Sequence, residues 1–440
     1  MAIKKIRVSN FKSFKDLEIE LGNFNVLIGA NASGKSNFIQ IFKFLRDIVE
    51  SGLDNAIALQ GGTKYLRNMN VGSSRCLTFE VVYDQRIGWS PPKTNIEIKT
   101  YEIIYRFGLE FRKKGPGFKI SEDNLVLKCE FVELGTKLDG KHREPVEGRR
   151  LGQADISFSN ESGTVRANIN VPDEIPLRKE DILKVISFKL PLPYQKTLLL
   201  ATSFYQYLPL YFIPSFKAAR SFYSTLSPLG GISIYDFDPK LPKKAVSITG
   251  KAQLEEDGSN LAIVLGNIIE SRNKKRKLSN LMGQVLPFVE NLDIDKFEDK
   301  SLFLKIREKY CKNKYIPASL ISDGTVNIIA LIIALYFQDK PIIIIEEPER
   351  NIHPYLLSQV INMMKDVSER KDVSERKQII ITTHNPEVIR HAGKENVFLV
   401  SRDKDCFTNV FKPYEKDEIK AFLENEIGLE ELYVQNLLVA

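Results

Sequence analysis

Apolar and polar positions in this chain follow two periods. Near the N-terminus Ile6 and Val8, then Leu17, Ile19 and Leu21, alternate with polar neighbours, and Phe24, Val26 and Ile28 continue the strand pattern. Phe38, Ile41, Phe42, Leu45, Ile48 and Val49 then recur at helical spacing, which predicts a helix to about Glu50, with Gly61 and Gly62 as a break. From about Leu77 to Val171 the period returns to two. Leu77, Phe79, Val81 and Tyr83 alternate, as do Tyr101, Ile103, Tyr105, Phe107, Leu109 and Phe111, and later Val165, Ala167, Ile169 and Val171. This predicts an antiparallel sheet with one face buried. Gly-rich, charged turns are expected at Lys113–Gly117 and Gly135–Gly140.

Residues 178–225 are apolar and aromatic but broken by Pro191, Pro193, Pro209 and Pro214, and read as an inserted helical region. Ile232–Asp238 reads as a strand. Glu255–Asn260 starts a helix whose apolar face is Leu261, Val264, Leu265, Ile268 and Ile269. The last third has an α/β pattern. Ser322–Thr325 opens a helix so apolar, Val326 to Phe337, that it must be buried almost all round, and Pro341–Ile345 follows as a continuous apolar strand. A helix carrying Leu357, Val360, Ile361, Met364 and Val367 precedes the strands Ile379–Ile381 and Val397–Val400, and a tail with Ile419, Phe422 and Leu423 is amphipathic. The expected organisation is an N-terminal lobe over 1–175, an inserted, mainly helical region over 176–290 and a C-terminal α/β lobe over 291–440.

With 440 residues and 43% hydrophobic content the chain can bury a large core. The longest apolar run, Ile328 to Phe337, is far short of the roughly 20 residues of a bilayer span, so no membrane segment is expected. The N-terminus has no export signal, and Cys76, Cys129, Cys311 and Cys406 are scattered without metal spacing; both features suit a reducing cytoplasm. The net charge of +7 makes a DNA or RNA partner conceivable, and Arg272–Lys277 is the densest basic cluster. A run of that kind is more often only a solvated helix end or loop, and no aromatic residues are interleaved within it. The literal repeat Asp366–Lys371, Asp372–Lys377 reads as a helix end lengthened by duplication.

The chemistry starts at Gly29-Ala-Asn-Ala-Ser-Gly34-Lys35-Ser36-Asn37. A G-x-x-x-x-G-K-S loop between a strand and a helix lets successive backbone N–H groups point at phosphate oxygens. Lys35 would reach the terminal phosphates and Ser36 would ligate Mg²⁺; Asn31 and Asn37 fall within the same loop and helix start. Lys12, in the turn Asn10–Phe14, is either near the nucleotide or an ordinary turn residue. Hydrolysis also requires a held metal and a group acting on water. The strand Ile342–Ile345 runs into Glu346-Glu347-Pro348-Glu349 and is expected beside the phosphate-loop strand. Glu346 is assigned to the metal and Glu347 to catalysis. His384, just past the next buried strand, would sit near the γ-phosphate or the attacking water. His353 is a dimer contact or a helix-start residue; His142 and His391 receive no role.

Taken in order, these motifs resemble the ABC-type ATPase heads of the structural-maintenance-of-chromosomes (SMC) and RecF group. More closely they resemble stand-alone bacterial AAA-family ATPases related to the overcoming-lysogenization-defect nucleases. The E-E-P-E-x-x-I-H-P stretch, L-x-x-D-G-S-N-L from Leu254 to Leu261, and Gly428–Tyr433 carry the likeness, which is weak from about 85 to 230. The resemblance implies an α/β, ABC-type P-loop head with an antiparallel β subdomain and an inserted helical region. It further implies a dimer, or a higher even oligomer, that encloses ATP and Mg²⁺. Gly29 to Ser36, Glu346, Glu347 and His384 of one copy would meet Ser322, Asp323 and Gly324 of the other. The implied setting is a cytoplasmic ATPase controlling a separate effector, a nuclease or toxin, in anti-phage defence; a RecF-like DNA-repair ATPase and an ATP-cemented scaffold are the alternatives. The chain departs from the pattern at Glu346, where Asp is usual, and in its Gln loop, for which Gln60 is the candidate. It also shows no long coiled coil, and no nuclease domain is seen after His384.

Overall fold

The computed structural model describes residues 2–177 and 227–438, apart from 85–86, 91–93, 114, 116, 140–141, 162–163, 173, 299, 312–313, 373–374, 425–426 and 436. The helical region expected at 178–225 falls almost wholly outside the described residues. The chain divides into two compact units that do not follow the three consecutive segments expected. The first comprises Met1–Leu21, Ser36–Gly231 and Arg402–Asn409; the second comprises Gly22–Lys35, Ile232–Ser401 and Val410–Ala440.

The first unit is built on an antiparallel sheet. From edge to edge it runs Phe14–Glu20, Ala2–Phe11, Leu77–Asp84, Ile96–Phe111, Phe118–Asp139, His142–Glu161 and Thr164–Ile169, with Ile87–Trp89 also paired to Ile96–Phe111. The alternation in the sequence gives it one apolar face. Phe11, Phe79 and Phe107 line that face and Phe44 of the helix Lys35–Ser51 packs onto it, with ring centroids of Phe44 and Phe79 5.7 Å apart. Two local expectations change. The register slips between Thr100 and Glu102, so Thr100 is buried and Tyr101 turns outward at the bulge. Gly135 is not in a turn: it pairs with Val146, and the strand continues to Asp139.

The second unit holds a six-stranded sheet in the order Ile232–Tyr235, Ile342–Glu346, Gln378–Thr383, Phe24–Ile28, Val397–Arg402, Thr408–Phe411, the first five mutually parallel. Its central strands are largely apolar, and buried along their length, because both faces are covered. The helix Asp323–Phe337 is buried along nearly its whole length, and Pro354–Ser368 buries Leu357, Val360, Ile361 and Met364. A second, smaller antiparallel sheet pairs Val289–Phe297 with Ser301–Glu308, flanked by Val246–Ser247 and Ile316–Pro317. No described helix is long and apolar enough to cross a membrane.

Candidate functional site

Parallel pairing brings the carboxyl ends of the central strands to one edge of the sheet, where α/β sheets carry their ligands. Ile28 lies opposite Thr383, and Thr382 lies opposite Glu346. The carboxylate strand is therefore not beside the phosphate-loop strand, as the sequence suggested. Gln378–Thr383 separates them, which puts Glu346 roughly 10 Å across the sheet at about 4.8 Å per strand. The spacer strand supplies the side chains that fill the interval.

The phosphate loop leaves the end of Phe24–Ile28 under tight constraint. A Cβ on Gly29 would lie 2.3 Å from the Val400 carbonyl oxygen and 2.7 Å from Ser33 Oγ, so glycine is required there. Gly34 at φ 117° and Ala32 at φ 62° hold the left-handed turns that curl the loop. Lys35 is buried, and its ammonium donates to the carbonyls of Gly29 at 2.6 Å and Ala30 at 3.0 Å. Burial lowers its pKa, while Glu347, Glu349 and Glu346 oppose that shift through their charge. Asn31 and Ser36 are exposed.

The acidic turn after Ile342–Glu346 is tightly organised. Glu347 adopts φ 45°, and its backbone N–H donates to the Thr382 carbonyl at 2.9 Å. Its Oε1 lies 2.9 Å from Nδ1 of His384, so the structure joins the two residues assigned to catalysis. Its Oε2 faces Arg350 Nη2 at 3.4 Å, and Arg350 is anchored in turn by Asp236 at 2.9 Å and the Phe237 carbonyl at 3.2 Å. Sequence reading missed Arg350, Asp236, Thr383 and Glu349. Glu349 is buried, accepts a hydrogen bond from Thr383 Oγ1, and leaves Oε2 without a hydrogen-bond partner among the described residues. Burial raises its pKa, against the Thr383 bond. The third acid of E-E-P-E was its visible signal; Asp236 had none.

Ser322 caps the helix Asp323–Phe337: its Oγ accepts from the Thr325 N–H at 3.2 Å and lies 2.8 Å from Thr325 Oγ1. Asp323 pairs with Lys243. Gly324 is required by a close approach, since a Cβ would lie 2.3 Å from the Asn351 carbonyl oxygen. Asn327 donates to the Arg350 carbonyl at 2.7 Å. Gly324 and Asn327 thus meet the segment just past the carboxylates. His353 caps Pro354–Ser368, its Nδ1 accepting from the Tyr355 N–H at 3.2 Å, as a helix-start residue does.

Within the first unit, a cleft of about 370 Å³ is lined by Lys12, Ser13, Asn37, Arg67 and Arg402, with Tyr65 and Met69 exposed at its wall. Asn37 donates to Ser13 Oγ at 2.8 Å. Lys12 sits at φ 47°, and burial lowers its pKa. Gln60 is buried at the end of Leu53–Leu59, its side-chain oxygen without a partner among the described residues.

Among the described residues no group of three or more His, Cys, Asp or Glu side chains could hold a metal alone. A hydroxyl such as that of Ser36 and a carboxylate such as that of Glu346 are hard oxygen donors of the kind Mg²⁺ takes, with waters and phosphate oxygens completing its shell.

A search of curated proteins finds no match. Among solved structures the chain is similar to the SmcHead bound to the C-winged helix domain of ScpA, at 15% identity over 93% of this chain and 97% of that one, with a TM-score of 0.42. It is similar to the SMC head domain from Thermotoga maritima at 13% identity over 94% and 99%, TM-score 0.38. It is also similar to a Pyrococcus furiosus SMC head with an extended coiled coil bound to the C-terminal domain of ScpA, at 13% identity over 97% and 99%, TM-score 0.42. The AAA ATPase domain family matches residues 1–389, a stretch that contains the phosphate loop, Ser322–Gly324, the acidic turn and His384, and the chain belongs to that family.

Proposed function

We propose that the protein hydrolyses ATP with Mg²⁺ between two copies of itself and uses the cycle to control a separate effector. The observation that carries the hydrolytic reading is Glu347, held at φ 45° with one carboxylate oxygen on His384 and the other on Arg350. A carboxylate fixed at both oxygens is aimed rather than mobile, and can orient and deprotonate a water. Gly29, Asn31, Gly34, Lys35, Ser36 and Asn37 would bind the phosphates, and Ser36 with Glu346 would hold the metal. Bound Mg²⁺ would neutralise charge developing on the phosphate oxygens. His384 can hold Glu347 in register through Nδ1–H, which leaves Nε2 of the neutral ring as a hydrogen-bond acceptor. Ser322, Asp323 and Gly324, at the start of the helix Asp323–Phe337, would be the segment that meets the nucleotide of a second copy.

The effector, a nuclease or toxin, and the setting in cytoplasmic anti-phage defence rest on the resemblance to ATPases related to overcoming-lysogenization-defect nucleases. Glu347→Gln should cut phosphate release by about 10²–10⁴-fold while nucleotide binding persists. In that variant ATP should double the mass seen by light scattering, and Ser322→Arg should prevent the doubling. Unchanged turnover in Glu347→Gln would remove the catalytic assignment, and a mass indifferent to ATP would remove the dimer.

A further inference from the structure

The helix Arg272–Val285 carries Arg272, Lys274, Lys275, Arg276 and Lys277 in its first six residues and no acidic residue anywhere along it. That placement is unfavourable twice over. Cations at a helix N-terminus oppose the macrodipole, and like charges three and four positions apart repel one another. Elsewhere the protein neutralises its exposed cations: on the antiparallel sheet Arg7 meets Glu18 and Glu80, Arg75 meets Asp16, and Lys128 meets Glu102. Among the described residues, none of the five cations of this helix has an ion-pair partner.

A second basic segment of the same unit converges on this one. Lys277 Nζ lies 6.0 Å from the centre of the Tyr336 ring and 5.6 Å from that of Phe337, and Arg370 Cζ lies 5.3 Å from the same Tyr336 ring. Lys377 donates to the carbonyls of Leu335 at 2.8 Å and of Gln338, close enough for the charges of Arg370 and Lys277 to act on it. The duplicated segment 366–377 thus has a place in the structure: it brings Arg370 and Lys377 to the basic helix, with Glu375 on Arg370 and Asp339 near Lys377 as the opposing carboxylates.

We propose that this face, the start of Arg272–Val285 with Arg370 beside it, binds the phosphodiester backbone of duplex nucleic acid without reading sequence. The chemistry excludes other polyanions in turn. Leu278, Met282 and Val285 of the helix are buried in the core, so no apolar face remains for a membrane. Tyr336 and Phe337 are partly buried and covered by Lys277 and Arg370, so no ring is presented for stacking on unpaired bases. What remains is a row of flexible point charges, which suits regularly spaced phosphates and positions a duplex without specifying it.

Fluorescence anisotropy of the whole protein with a labelled duplex of about 30 base pairs, at several salt concentrations, tests the proposal. The double variant K274E/R276E should bind at least about tenfold more weakly and flatten the plot of log affinity against log salt by about two. K394E/K404E, with the same change in net charge, should leave both unchanged and melt as the parent does, and K274E/R276E should melt no lower than the parent, because it relieves the repulsion at the helix start. Equal weakening by the control would overturn the proposal, as would no weakening in K274E/R276E. Tighter binding of single strands, of phosphatidylserine vesicles or of polyglutamate than of the duplex would overturn it in favour of those partners.

Discussion

Glu349 places a buried carboxyl, one oxygen without a hydrogen-bond partner among the described residues, three residues past Glu346, at a cost in desolvation. Its native pKa is held above the ordinary value by burial, so between the two values the native state binds more protons than the unfolded chain. Stability therefore falls as pH rises through that window. Glu349→Gln keeps an acceptor for Thr383 and removes the charge. It should raise the melting temperature of the nucleotide-free protein at pH 7, and the gain should vanish below about pH 4. A scan of melting temperature against pH for both proteins checks this. Residues of this kind divide by the source of their role. Gly29, Lys35, Ser36, Glu346 and Glu347 could be nominated from the sequence because the motifs that contain them are defined by local spacing. Arg350 and Asp236 were not, because Asp236 is 114 residues before Arg350 in the chain (350 minus 236) and only the pairing of Ile232–Tyr235 with Ile342–Glu346 brings them together.

At the level of elements, the helix Asp323–Phe337 is joined to the segment 350–351 of its own chain by Asn327 and by the contact at Gly324. Gly324→Ala forces a Cβ against a backbone carbonyl that cannot turn aside, and should cost about 1–3 kcal/mol in urea unfolding. Gly283→Ala, in open space on the helix Arg272–Val285, should instead stabilise by about 0.4–1 kcal/mol. The pair separates a packing requirement from helix propensity. Element types were largely legible. Period two gave the antiparallel sheet, and continuous Ile342–Ile345 and Ile379–Ile381 gave parallel strands. Leu302, Leu304 and Ile306 alternate in the same way but went unread among the charges of a short hairpin. Strand order was not legible, because crossover helices decide which parallel strands become neighbours and leave no mark on the strands themselves.

At the scale of the molecule, the second unit takes residues 22–35 from one end of the chain and 232–401 from far beyond it. The strand Phe24–Ile28 is hydrogen-bonded on both sides by late segments, Gln378–Thr383 and Val397–Arg402. A fragment ending at residue 377 contains the entire phosphate-loop motif, yet should not bind ATP in a titration with a fluorescent analogue, because the loop has lost both flanking strands and the Val400 contact that shapes it. The three-part reading of the chain failed to foresee this because composition shifts mark boundaries along the sequence, whereas the interleaving arises from pairing.

That interleaving also sets a clock. Asn25 reaches its partner Ile379 across 354 residues, so the phosphate-loop strand must wait for most of the chain to be made. At about 5–20 residues per second, that wait is roughly 20–70 s, during which the loop exists as sequence but not as a site. Such long-range parallel pairing is slow to form and leaves the strand Phe24–Ile28 with unpaired edges meanwhile, open to association with other chains while synthesis continues.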